Sequence, residues 1–172
     1  SYGLISPHTS QATRDFLTGF TIALSTFASL ISAPLIGSLS DKFGRKKTLL
    51  LCLLAVSLGF LLPIWGIWQR NILLILLGRL IAGIGSASQP VAQAAVADLY
   101  GKQGKEKAFA LSLIALMMTL PIILGPLAGG YLSDSNLLPW LNVTTPYLCA
   151  FVLSFLNLFL MIFFFRETLL NP

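Results

Sequence analysis

Gly37-Ser38-Leu39-Ser40-Asp41-Lys42-Phe43-Gly44-Arg45-Lys46-Lys47 sets one acid among four bases within the seven residues 41–47. Two long apolar runs flank it, 16–39 before and 48–68 after. A charged knot between two such runs suits a chain that leaves one membrane helix and enters the next. Across the chain, 56% of the 172 residues are hydrophobic and only 10% are charged. A soluble domain carries about 25% charged residues, so the deficit points to lipid as the solvent. A bilayer core about 30 Å thick needs about 20 apolar residues in helical form. Three further runs, 72–99, 108–132 and 147–165, meet that length. Strands of a membrane barrel would alternate apolar and polar residues over about 10 positions, whereas 151–165 is almost continuously apolar. Unpaired backbone polar groups are too costly in lipid, so these runs are expected to be helices. The fold class expected is all-α: a polytopic membrane protein whose residues 1–172 form five transmembrane helices, at about 16–39, 48–68, 72–99, 108–132 and 147–165.

The loops give an orientation. Lys42, Arg45, Lys46, Lys47, Lys102, Lys105, Lys107 and Arg166 fall on one side, Arg14 and Arg70 on the other. Short cytoplasmic loops carry the excess of Lys and Arg, so the first side is expected to be cytoplasmic and the N-terminus outside. The net charge of +5 is therefore read as topology, with the lipid bilayer as partner and no nucleic acid. Cys52 and Cys149 both lie in apolar runs without pairing or metal-ligand spacing, and the one histidine, His8, is read as a solvated terminal residue. No metal site and no cofactor are expected. The chain starts at Ser1 without a basic n-region before an apolar core, and is read as starting within a larger protein, with at least one helix upstream.

The spans differ in polarity. The second and fifth are almost wholly apolar, and helices hydrophobic all round can face lipid. The first carries Thr18, Ser25 and Ser32, the third Arg79, Ser86 and Gln93, and the fourth Ser112 and Thr119, each set at seven-residue spacing. Seven residues is nearly two turns, so each set shares a face. Such faces can surround a wet cavity, or they can be packing faces, because small polar residues are common between membrane helices. Arg79 lies seven residues into its span, roughly 10 Å deep, where a charge is costly and is a functional hypothesis by default. It either faces a cavity or snorkels to the outer surface. Pro34, Pro63, Pro90, Pro121 and Pro126 sit within spans; each removes a backbone donor and tends to kink its helix.

In the charged knot, Gly37 would let helices approach closely, Gly44 would permit a tight turn at positive φ, and Asp41 would suit a helix N-terminus. A simple topological anchor explains the bases but not Asp41 or the two glycines. The stretch resembles the signature Gly-x-x-x-Asp-(Arg/Lys)-x-Gly-Arg-(Arg/Lys) of the major facilitator superfamily, and Gly37, Asp41, Lys42, Gly44, Arg45 and Lys46 match every defined position. Gly78-Arg79-Leu80-Ile81-Ala82-Gly83 resembles that family's fourth-helix motif. Gly125-Pro126-Leu127-Ala128-Gly129-Gly130 resembles the end of the fifth-helix motif of its drug–proton antiporters, although Ser112 and Pro121 stand where that motif has two upstream glycines. Gly125 and Gly129 also make a Gly-x-x-x-Gly pair suited to helix packing.

The resemblance, most like drug exporters of the tetracycline-resistance type, implies most of one six-helix bundle in a twelve-helix transporter. It implies a multi-pass protein of the plasma membrane (the inner membrane in bacteria), working with the remaining helices by alternating access. It puts the second and fifth spans on the lipid side. It implies export of a small drug-like solute, with protons and their gradient as driving force; a sugar, metabolite or siderophore carrier, or a truncated fragment without transport, are the alternatives. By the same resemblance Gly37, Asp41, Lys42, Gly44, Arg45 and Asp98 form a conformational gate: Arg45 pairs with Asp98, and Asp41 caps a helix of the other bundle. Arg79, Ser86 and Gln93 serve the cavity, as substrate or coupling residues, and Gly125, Pro126, Gly129 and Gly130 serve packing and kinking. No carboxylate lies deep in a span, so a coupling acid is expected elsewhere. No nucleophile–base pair, metal cluster or phosphate loop argues for an enzyme. Asn142-Val143-Thr144 matches a glycosylation sequon on the expected outer side.

Overall fold

The computed structural model describes residues 10–100, 104–133 and 141–165. Among them are six helices and no strand: α1 (Gln11–Phe43), α2 (Arg45–Trp68), α3 (Ile72–Ser86), α4 (Ser88–Tyr100), α5 (Gly104–Ser133) and α6 (Thr145–Phe164). Taking α3 and α4 together, five stretches are long and apolar enough to cross a membrane, one for each expected span. His8, Lys102, Arg166 and the Glu167-Thr168 end lie outside the described residues, as does the side chain of Arg14.

The reversals follow from local chemistry. The Ser10 hydroxyl accepts from Thr13 N–H at 3.3 Å and caps α1. Gly44 alone separates α1 from α2, with φ of 100°, a backbone region where a side chain would be strained. At the far end of α2 the Asn71 N–H bonds the Gly66 carbonyl at 2.8 Å, and Arg70 takes the left-handed position, φ 54°, usually filled by glycine. Asn71 Oδ1 then accepts from Leu73 N–H at 3.0 Å and caps α3. The start of α6 is built by Asn142, whose carbonyl accepts from Thr145 N–H and whose N–H donates to Thr145 Oγ1, both at 2.9 Å. The sequon asparagine is thus drawn into a helix start.

Two expectations are corrected. The third span is two helices, broken at the buried Ala87. Pro90 lacks an N–H, and its ring opposes the carbonyl four residues back, that of Ser86, where α3 ends. The chain stays helical through Pro34, Pro63, Pro121 and Pro126. Secondly, α2 is not simply a lipid-side helix. It packs against α1, α3, α4 and α6 and carries the largest buried share of the five spans. Leu51, Leu54, Leu58, Leu61 and Trp65 form its exposed stripe, while Cys52, Ser57, Gly59, Pro63 and Gly66 are buried. A side chain at Gly59 would stand 2.6 Å from the backbone nitrogen of Ala82, so the missing Cβ is what lets α3 lie this close. Ser57 and Ser154 share a hydrogen bond of 2.9 Å that ties α2 to α6.

Among the described residues the expected cavity-lining fourth span, α5, has no buried residue, and its main contacts are with α4 and α6. The hydroxyls of Ser112 and Thr119 donate to Phe109 and Ala115 of their own helix, each at 2.9 Å, and Ser133 likewise donates to Gly129. Among the described residues the apolar core is small: Leu49, Cys52, Ala87, Val91, Ala95 and Leu141. Large apolar side chains stay exposed along every helix, for example Phe27, Leu58, Leu77, Leu99, Ile122 and Phe163. A water-soluble monomer does not expose contiguous apolar area on that scale. The architecture is a polytopic membrane bundle.

Candidate functional site

The charged knot closes around one arginine. Arg45, the first residue of α2, is 9% exposed. Its Nε donates to Asp98 Oδ2 at 3.0 Å, and its Nη1 meets Asp41 Oδ1 at 2.6 Å and the Ser40 hydroxyl at 3.1 Å. Three elements are thereby joined: the last turn of α1, the first residue of α2 and the last turn of α4. The Gly44 turn makes this possible by folding the two helices back within one residue. The side chain of Asp98 is 35% exposed and that of Asp41 64%, so Asp41 engages Arg45 and still faces outward. Lys46 extends the junction, donating from Nζ to the Ile162 carbonyl at 3.0 Å near the end of α6. Lys42 stands exposed in the last turn of α1, where the helix dipole favours a cation. Gly37 makes no close approach: nothing among the described residues lies within 4 Å of where its Cβ would stand, because no described helix covers that face of α1.

Arg79 lines a cavity of about 310 Å³ between α1, α2 and α3. Ser25, Thr26 and Ser29 contribute from α1, Val56 and Phe60 from α2, and Ser86 from α3. Ser25, Thr26 and Ser86 donate to carbonyls of their own helices, at 2.8, 3.2 and 2.7 Å, which leaves lone pairs toward other partners. Arg79 Nη2 donates to the Tyr147 hydroxyl at 2.9 Å, and its guanidinium carbon lies 5.4 Å from that ring's centre. Nε of Arg79 is buried and has no hydrogen-bond partner among the described residues.

The structure therefore brings Arg79 and Ser86 together and leaves Gln93 out. Gln93 is exposed on α4, because the break at Ala87 ends the seven-residue register that put it on the Arg79 face. Of Thr18, Ser25 and Ser32 only Ser25 lines the cavity; Ser32 is buried and donates to the Ala28 carbonyl at 2.7 Å. Gly125, Gly129 and Gly130 have nothing among the described residues within 4 Å of a Cβ position, so the packing expected there has no partner, and Pro126 sits in a continuous helix. Sequence reasoning missed Ser40 and Tyr147. Ser40 occupies an undefined position of the signature, and Tyr147 is 68 residues from Arg79.

The family model described as Major Facilitator Superfamily matches residues 2–171. The chain belongs to the major facilitator superfamily. It is 31% identical over 174 residues to the class B tetracycline resistance protein of Escherichia coli, an alignment covering 96% of this chain and 41% of that protein. It is 32% identical over 123 residues to the bacillibactin exporter of Bacillus subtilis (strain 168), covering 70% and 31%. Among solved structures it resembles the crystal structure of the human organic anion transporter MFSD10 (TETRAN), with a TM-score of 0.70 and 26% identity over 86% of this chain and 31% of that one. The chain thus spans about two fifths of the length of the tetracycline resistance proteins it matches. Major facilitator proteins are integral membrane proteins, in agreement with the five apolar spans.

Proposed function

We propose that this major facilitator chain serves secondary active transport by alternating access, exporting a small drug-like solute in exchange for protons. Further helices of the same transporter complete the solute pathway. The Arg45 junction is the observation that carries the reading. It ties the α1–α2 turn to the end of α4 at the end of the bundle that carries the basic loops, through one guanidinium held by two carboxylates and a hydroxyl. In this reading the junction is a latch that closes the cytoplasmic side while the cavity opens outward, and Asp41, still largely exposed, reaches a helix of the other bundle. Exposed ion pairs contribute about 1 kcal/mol or less. Since about 1.4 kcal/mol moves a two-state equilibrium tenfold, a partly buried junction suffices to set which state prevails.

The solute class rests on similarity: relatives of this chain include tetracycline resistance proteins. Among the described acids, Asp15, Asp41, Asp98 and Glu106 all lie near helix ends, so the coupling carboxylate is proposed to lie on a helix outside this chain. A second reading, siderophore export, is favoured by the bacillibactin exporter among the relatives. Asp41→Asn in the complete protein tests the latch. It is expected to raise the accessibility of cytoplasmic-side cysteines, lower that of outer-side ones, and cut transport at least tenfold. Unchanged accessibility and transport would reduce the knot to a topological anchor.

A further inference from the structure

Arg79 is held by a residue that no motif marks. The rest of α3, Ile72–Ser86, is apolar or glycine apart from Ser86 itself, and contains no acid. None of the residues lining the cavity is acidic. A guanidinium on a long flexible stem keeps one orientation only if something off its own helix fixes it. Tyr147, in the first turn of α6, supplies two contacts of different kinds. Its hydroxyl accepts from Nη2 at 2.9 Å, and its ring lies 5.4 Å from the guanidinium carbon. The first fixes a nitrogen, and the second is a cation–π contact that favours one placement of the charged plane over the ring. In a guanidinium, Nη2 and Nε–H lie along the same edge of the plane, the edge that grips a carboxylate bidentately. Tyr147 occupies half of that edge. The other half, Nε–H, is buried without an acceptor among the described residues, on a side chain that lines the cavity.

We infer that Tyr147 is a positioning residue for Arg79: it holds the guanidinium beside the cavity wall and takes up Nη2, so that Nε–H is the one donor of this edge left without a partner among the described residues. The inference rests on the reading of Arg79 as a solute or coupling residue for its functional meaning, but not for its geometry.

The complete protein labelled with [15N]arginine in lipid nanodiscs gives Nε–H signals, among which that of Arg79 is the one lost in Arg79→Lys. Tyr147→Phe keeps the ring and removes the hydroxyl. The expected result is at least fivefold faster exchange of the Arg79 Nε–H with water, with the Arg45 signal unchanged as the control for folding. Exchange altered by less than fivefold, with the Arg45 signal intact, overturns the assignment. If Tyr147→Phe disturbs the Arg45 signal, Tyr147→Trp, which keeps a ring and offers no acceptor, is read by the same criterion. Arg79→Leu separates the two claims. Normal transport in that variant would remove the functional role of Arg79 and leave the exchange result standing. Unchanged exchange in the Tyr147 variants would remove the role of Tyr147 and leave that of Arg79.

Discussion

At Arg45 one side chain does what no other residue type can. Contacts to Asp98, Asp41 and Ser40 leave from two different nitrogens of its planar fork and reach α1 and α4 at once. A lysine ammonium is a single point on a flexible stem and cannot span them together. Arg45→Lys is therefore expected to keep the positive charge and lose the junction. Transport should fall at least tenfold, and the complete protein should lose about 1–2 kcal/mol of stability, since charge-assisted hydrogen bonds contribute about 1.5–3 kcal/mol and the partly exposed carboxylates are screened. Thermal unfolding in detergent, alongside transport, measures both. Transport equal to wild type would show that charge alone matters there. The contact between Arg45 and Asp98 was legible through the resemblance to the family signature, whereas the hold of Asp41 on Arg45 was not. Ser40 and Tyr147 were not, because a serine hydroxyl and a phenol carry no signal until the fold places a guanidinium beside them. Gln93 stands apart from the Arg79 cavity for a local reason: seven-residue spacing implies a shared face only along an unbroken helix.

The helices themselves follow from lipid. Four of the five expected spans lie within described helical stretches, extended by up to five residues where the chain continues beyond the apolar run, as at Gln11 and Phe43, and the fifth runs one residue past the end of α6 at Phe164. Which face a span buries was harder to read. In α2 leucines occupy the outward stripe and apolar residues the inward one, so hydrophobicity does not tell them apart. The distinguishing signal is size, because Ser57, Gly59 and Gly66 sit where α3 and α6 come close. The α2–α3 hairpin carries a testable strain. Arg70 holds φ at 54°, a conformation that costs a non-glycine residue about 1–2 kcal/mol, partly offset by the greater freedom a glycine would lose on folding. Arg70→Gly is expected to stabilise the protein by about 0.5–1 kcal/mol, read as a higher midpoint of thermal unfolding. A lower midpoint would mean that the Arg70 side chain contributes more than its backbone costs.

For the molecule as a whole, the alternation of the spans sets two ends. Arg45, Asp98, Lys46 and the Ile162 carbonyl meet at one, while Arg70 and Asn142 mark the other, where the α2–α3 turn and the start of α6 lie. With the loop charges, the first end is expected in the cytoplasm. Single cysteines at Asn142 and at Lys105, in a background with Cys52 and Cys149 changed to alanine, test this with an impermeant thiol reagent added outside. Labelling of Asn142 and protection of Lys105 is the expected outcome, and the reverse pattern would invert the topology. The tie between α2 and α6 also has a consequence in time. Lys46 and its carbonyl partner are 116 residues apart in sequence. At a synthesis rate of about 5–20 residues per second, α2 waits roughly 6–25 s in the bilayer before Ile162 exists. During that interval the Ser57 hydroxyl already donates to the Leu53 carbonyl of its own helix, at 2.9 Å. The polar group that will later dock α6 is satisfied from the start, so the nascent helix can rest in lipid without a chaperoning partner until Ser154 arrives.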